Sequence, residues 1–590
     1  MGEAHSALNR RHFLSVTTRA GLAGTLFPGV LWAMAEEKKK ITRNMIDEAA
    51  AIADVPIADD YKEMMLDDLN AAVADYEAVY ALRIPNDVPP ALVFDPVLPG
   101  MKVVPPPGPS RMSRIAAPAA PKNIEDVAFH SVRQLAELVR TRRVSSVALT
   151  EMYLGRLKRY DPLLKFVISL TEDRAMAQAR EADREIAAGK YRGPLHGLPW
   201  GAKDLFCAKG YRTTWGAGGF EEQRIEDDAE IVRRLDRAGA VLVAKLTLGA
   251  LAMGDVWFNG TTKNPWKPEE GSSGSSAGSA SATAAGCVAF AIGTETLGSI
   301  SSPCTRCGTT GLRPTFGRIP RTGGMSLCWS MDKIGPICRA VEDCALVVEA
   351  LNGPDGKDDS VRDVAFHWDA ALDIRKLRIG YLKEDFEKDP KAEDDEDDNG
   401  KKSRERRLEQ QKIDFAALDV LRNKLGLKLT PVKLPDFPYQ HLLPILTAEA
   451  AAAFDDLTRS GRDKLLTAQK KGDWPNIFRA ARFVPAVEYV NANRARTLGM
   501  RKMAELFQEV DVIVCPTSSS QQLIATNLTG HPACIVPDGF RQDGTPTSIT
   551  FLGNLYREDQ LCAVAKAYQD ATEWHLRKPK LETAQAASLR

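Results

Sequence analysis

The 590-residue chain carries no surplus of charge, since lysine plus arginine and aspartate plus glutamate both total 78. Without a net field, general attraction to nucleic acid or to an anionic membrane is not expected, and the expected partner is a small or neutral molecule. Histidine is scarce. Of eight in all, the six beyond the leader (His130, His196, His367, His441, His531 and His575) sit in no recognisable triad context, so histidine-based nucleophilic catalysis lacks a candidate. Cysteine is absent before Cys207, and the ten copies form no regular framework. Cys304 and Cys307 have C-x-x-C spacing, but no second such pair or paired histidine completes four ligands, so core-facing thiols and no metal are expected. Beyond the leader no stretch approaches ~20 uninterrupted apolar residues, which removes a membrane span. No internal repeat is present.

What is present is enough apolar side chain, 44% of the residues, to bury a large core and more than one domain. The first residues place the pair Arg10-Arg11 before Phe13-Leu14, a weakly apolar stretch and an Ala33-Met34-Ala35 cleavage pattern, which reads as a twin-arginine export signal over 1–35. That leader implies a periplasmic or secreted protein. Residues 36–84 show helical periodicity and 85–122 are rich in proline, so 36–122 reads as a helical appendage followed by an extended linker. From about residue 123 the pattern changes. Val132, Leu135, Leu138 and Val139 share one helical face behind the N-cap candidate Ser131, and helices then alternate with short apolar runs such as AVLVAKLTLG, indicating a layered α/β domain over 123–590. Residues 384–412 form a block of acid followed by a block of base. Asp395, Asp397, Asn399 and Gly400 match the start of a calcium loop, yet Arg406 stands where the bidentate glutamate belongs, so a solvated surface insertion is expected.

Residues 269–286 read EEGSSGSSAGSASATAAG, a composition typical of flexible linkers. A linker joins independent domains, whereas this run passes directly into the apolar segment CVAFAIG. Gly274 to Gly278 also spells G-x-S-x-G, but the preceding NPWKPEE is polar and broken by proline, unlike the apolar strand that a nucleophile elbow requires.

Three blocks in order explain the run better: GPLHGLPWGAKDLF (193–206), GSSGSSAGSASATAAG (271–286) and GTETLGSISSPCTRCGTTGLRPTFGRIPRTG (293–323). Together with SMDKIGPICRAVEDCALVVEALNG, DVIVCPTSS and NLTGHPACIVPDGF they resemble the amidase signature family over roughly 125–575. The resemblance implies that family's fold, an α/β/α layering around a central mixed twisted sheet flanked by helices. It also implies a Ser-cisSer-Lys triad in which Lys203 is the base, Ser275 (backbone in the cis form) the proton relay and Ser299 the nucleophile, with no cofactor and no metal. The backbone N–H groups of Thr296, Leu297, Gly298 and Ser299 are the implied oxyanion donors. Leu297 stands where the family frequently has glycine, Ser301 where it has arginine, and Ser273 and Ala277 replace glycines, which bears on the shape of the acyl pocket.

Elementary chemistry agrees with those residue types. A serine hydroxyl is a poor nucleophile at neutral pH without an adjacent base. A lysine serves if burial lowers its pKa, and Lys203 ends the apolar stretch GLPWGAK. The expected activity is hydrolysis of a carboxamide to a carboxylate and ammonia or an amine through a Ser299 acyl-enzyme. An amidated peptide or an aryl or aliphatic amide is a reasonable substrate, and a homo-oligomer is compatible with the sequence. The alternatives are a glutaminase (A) subunit of a tRNA-dependent amidotransferase and an esterase or substituted-amide hydrolase on the same triad.

Overall fold

The computed structural model describes residues 41–53, 55, 57–388 and 398–581. The export-signal reading and Asp395 and Asp397 of the calcium-loop reading lie outside these residues. The chain divides into two compact units, 1–85 and 86–590. In the first, helices Arg43–Ala53 and Asp59–Ala81 are joined by Lys62, which pairs with Asp47 and, at 2.8 Å, with Asp59.

The second unit is built on an eleven-stranded sheet. From one edge to the other the strands are Val167–Leu170, Val241–Leu246, Pro199–Lys203, Phe290–Glu295, Lys333–Cys338, Thr310–Arg313, Ala533–Phe540, Pro546–Gly553, Val512–Pro516, Ile379–Leu382 and Leu429–Val432. Parallel and antiparallel pairs both occur, so the sheet is mixed, with helices packed on its faces. Strands such as VLVAKL (241–246) and KIGPIC (333–338) are buried along their whole length. A strand covered on both faces reads as a continuous apolar run rather than an alternating one, which is the pattern these sequences carry. Helix Val132–Arg140 starts at Ser131, whose hydroxyl accepts from the Gln134 N–H, and it buries Val132, Leu135, Leu138 and Val139 as the periodicity indicates.

Residues 86–122 are largely irregular and run along this unit. Asp95 pairs with Arg362, Ser110 hydrogen-bonds Glu349, and the Ser113 N–H donates to Glu342 at 2.7 Å. The charged segment contains helices Lys383–Glu387 and Asp398–Asp419. All ten cysteines are buried free thiols, and among the described residues no cluster of His, Cys, Asp and Glu is arranged to hold a metal. No described helix is long and apolar enough to cross a membrane.

Candidate active site

The site forms where two parallel strands end side by side. Pro199–Lys203 runs parallel to Phe290–Glu295, with Ala202 opposite Ile292, so Lys203 and the turn after Glu295 emerge at one edge of the sheet. The carboxyl ends of parallel strands are a recurrent place for ligands, because the chain there turns away into loops free to carry function. Lys203 is fully buried. Its Nζ donates to Ser275 Oγ at 2.8 Å, Thr294 Oγ1 at 2.8 Å and Ser276 Oγ at 3.2 Å. Its sequence neighbour Asp204 does not pair with it. That carboxylate instead meets Lys245 at 2.7 Å and accepts from Thr214. Lys203 is thus surrounded by hydroxyls, and burial pulls its ammonium down to about 7 against the opposing pull of the Asp332 and Glu295 charges. A substantial fraction is the neutral amine at physiological pH.

The serine-rich run is an ordered strand-loop-helix passage. It leaves the strand Lys267–Gly271, bends through residues 272–275 and enters helix Ala277–Ala284, which is buried throughout. The Gly274–Ser275 peptide bond is cis. A Cβ on Gly274 would lie 1.9 Å from the Gly254 carbonyl oxygen, so only glycine lets the loop pass there. The Ser276 hydroxyl accepts from the Thr294 N–H at 3.1 Å, and the Ser276 N–H donates to the Ser299 carbonyl at 3.1 Å. Those two contacts tie the loop to the strand end and to the turn that carries Ser299.

That turn, Thr296 to Ile300, is shaped by Glu295. The carboxylate is completely buried, accepts from the Ile300 and Ser301 N–H groups at 2.9 and 2.8 Å, and pairs with Arg313 at 2.6 Å. Burial pushes Glu295 up, but the Arg313 guanidinium and these donors outweigh it and hold the carboxyl at about 2. Gly298 takes a φ of +87°, a conformation glycine adopts without penalty. Ser299 is 9% exposed. Among the described residues, the N–H groups of Leu297, Gly298 and Ser299 are committed to no backbone acceptor, which leaves them available to a ligand. Thr296 is directed elsewhere by its side chain, whose hydroxyl donates to Asp332 at 2.6 Å. Such an arrangement can raise a nucleophile's reactivity through a relay and stabilise negative charge on an oxygen with preorganised backbone donors.

The structure therefore brings Lys203, Ser275 and the Thr296–Ser299 turn into one place. Four residues that sequence reasoning did not single out join them. Thr294 and Ser276 contact Lys203, Glu295 holds the turn, and Lys333 lies opposite Glu295 on the adjacent strand. Thr294 and Glu295 were within reach, since both belong to the quoted T-E-T. Lys333 is buried and is also pulled down to about 7 by desolvation, but its Nζ donates to the Met331 carbonyl.

A protein-family model described as Amidase matches residues 148–524. The chain is 34% identical over 498 residues to the A component of the glutamyl-tRNA(Gln) amidotransferase of Methylococcus capsulatus, covering 76% of this chain and 98% of that protein. Among solved structures it resembles the native peptide amidase of Stenotrophomonas maltophilia, with a TM-score of 0.65 and 28% identity, across 78% of this chain and 99% of that one. A protein from a vestigial complex tied to the origins of an s-triazine catabolic enzyme superposes with a TM-score of 0.66 at 26% identity, over 76% of this chain and 100% of the other.

Proposed function

This chain belongs to the amidase family of hydrolases, and from that premise we propose that it cleaves a carboxamide to a carboxylate and ammonia or an amine. Ser299 Oγ attacks the carbonyl carbon, and its proton passes through Ser275 to the neutral amine of Lys203. The tetrahedral oxyanion is held by N–H groups of the 296–299 turn. Collapse expels the nitrogen with a proton returned along the same relay, and water then hydrolyses the acyl-enzyme by the reverse path. The observation that carries this reading is the buried Lys203 ammonium, lowered to about 7 and 2.8 Å from Ser275 Oγ.

The test is ammonia release from a panel of simple, aromatic and peptide amides by the chain from residue 36 onward, beside Ser299→Ala and Lys203→Ala. Release that vanishes in both variants supports the triad. Labelling of Ser299 by a fluorophosphonate without release from any amide redirects the search to esters and substituted amides. EDTA is expected to leave turnover unchanged, and a large loss would count against the reading.

The names of the sequence relatives favour a second reading, in which the chain acts as a glutaminase and generates ammonia for a partner protein. The Arg10-Arg11 leader points the other way, to a periplasmic or secreted enzyme, because tRNA charging is cytoplasmic. Fusing residues 1–35 to a reporter separates the two, since failure to export it favours the glutaminase.

A further inference from the structure

A cavity of about 950 Å³ reaches the nucleophile turn at Gly298 and the start of the next helix at Ser301 and Ser302, and its far wall is the helix Asp398–Asp419 of the charged insertion. That helix is fastened over the cavity. Arg406 pairs with Asp543 at 2.6 Å and Glu270 at 3.2 Å, Gln410 accepts from Arg541 at 2.7 Å, and the Gln411 side chain donates to the Phe386 carbonyl at 2.8 Å. The lining is rich in cations whose compensation is uneven. Arg306 and Arg406 share Glu270. Lys388 and Arg407, both exposed to the cavity, have no carboxylate partner among the described residues, and Arg407 contacts only the Ser403 hydroxyl, at 3.1 Å. On the acidic side, Asp385 accepts from Ser519, and burial beside Asp538 pushes the Asp414 acid well up. In a chain with no net charge, the described residues that line this cavity carry a local surplus of positive charge close to the Ser299 turn.

We propose that the substrate of this site is an amide carrying one or more carboxylates on the portion that fills the cavity, and that Arg407 and Lys388 bind those carboxylates. This rests on the amidase reading and deepens it. Arg407 sits one residue after the anchored Arg406, so its place on the helix is fixed at the cavity wall, and its planar donor set matches a carboxylate. The volume suits a body of several residues rather than a simple amide.

The experiment compares acetyl-Glu-Glu-Ala-amide with the similarly sized neutral acetyl-Met-Met-Ala-amide, whose side chains offer no carboxamide of their own. KM for ammonia release by the wild type is expected to be about tenfold lower for the acidic peptide, the scale of two partly exposed ion pairs. That advantage is expected to shrink at high salt and to disappear in Arg407→Gln/Lys388→Gln. Equal KM values, or a preference that survives the double variant, overturn the proposal. A second measurement removes dependence on turnover, by titrating both peptides into Ser299→Ala by calorimetry. Charge-dependent binding that is lost on adding Arg407→Gln supports the cavity assignment even if neither peptide is hydrolysed, a result that would count against the amidase reading instead. Equal dissociation constants overturn the assignment whatever the enzyme hydrolyses. The single variants Arg407→Gln and Lys388→Gln, checked by their thermal midpoints, stand in if the double variant does not fold.

Discussion

Lys203 and Lys333 are both buried, desolvation pulls both down to about 7, and both feel the charges of Asp332 and Glu295, yet their hydrogen-bond partners differ. Around Lys203 the partners are three hydroxyls, Ser275, Ser276 and Thr294. Around Lys333 the partner is a backbone carbonyl, that of Met331, which has no proton to exchange. Depressed pKa therefore marks both lysines as candidates, and only the identity of the neighbour singles out a base. A third buried lysine, Lys245, shows the other outcome, a carboxylate partner at 2.7 Å.

The largest expected effect falls on the catalytic side of this contrast. Ser299→Ala and Lys203→Ala should each lower kcat/KM for any accepted amide by about 10⁴, with unchanged far-UV circular dichroism. Lys333→Met should retain fluorophosphonate labelling of Ser299 where Lys203→Ala loses it, and the reverse pattern would move the base to Lys333. Lys245→Met should cost about 3–5 kcal/mol in urea denaturation by stranding the Asp204 carboxylate, and Asp204→Asn added to it should recover most of that loss.

The pH dependence sharpens the contrast further. Since the proposed relay needs neutral Lys203, kcat/KM should fall about tenfold per unit below pH ~7 and level off above it. The folded pKa lies below the ordinary 10.5, so the unfolded chain binds more protons between about 7 and 10.5 and stability rises with pH across that window. Lys203→Met should lose that share of the slope, as read from denaturation midpoints at several pH values. The smallest effect belongs to Thr294→Val, which removes one hydroxyl from Lys203. It should lower kcat by roughly fivefold, the worth of one buried hydrogen bond, and shift the pH midpoint.

The layered α/β class was legible because short apolar runs such as AVLVAKLTLG alternate with helical patterns, and the strand Val241–Leu246 that this run contains is indeed buried along its whole length. The candidate site was legible in its parts, since Lys203, Ser275 and Ser299 lie in short blocks whose wording is distinctive. Glu295 was not picked out, although it stands in one of those blocks. Its role depends on Arg313 and on Asn527, whose side chain donates to it at 3.0 Å from 232 positions away. Lys333 was missed for a related reason, because a lysine in a sequence carries no sign of being desolvated. The charged segment 384–412 reads as a solvated insertion, and its acid and base blocks do suit water. Nothing in that composition says that Arg406 reaches Asp543 and thereby sets the helix over a cavity beside the nucleophile turn.

By itself the sequence determined the chemical inventory, namely which hydroxyls and amines are available, in what order, and on which kinds of element. Local preferences suffice for that, because burial periodicity, caps and glycine positions are encoded within a few residues of where they act. The tertiary structure alone decided which of the three buried lysines on the large sheet has hydroxyls as its only hydrogen-bond partners, and which cations line the cavity beside the candidate site. Both depend on strand order and on pairings across hundreds of residues, and it is these long-range neighbours, acting through a low-dielectric interior, that set a group's charge and its use.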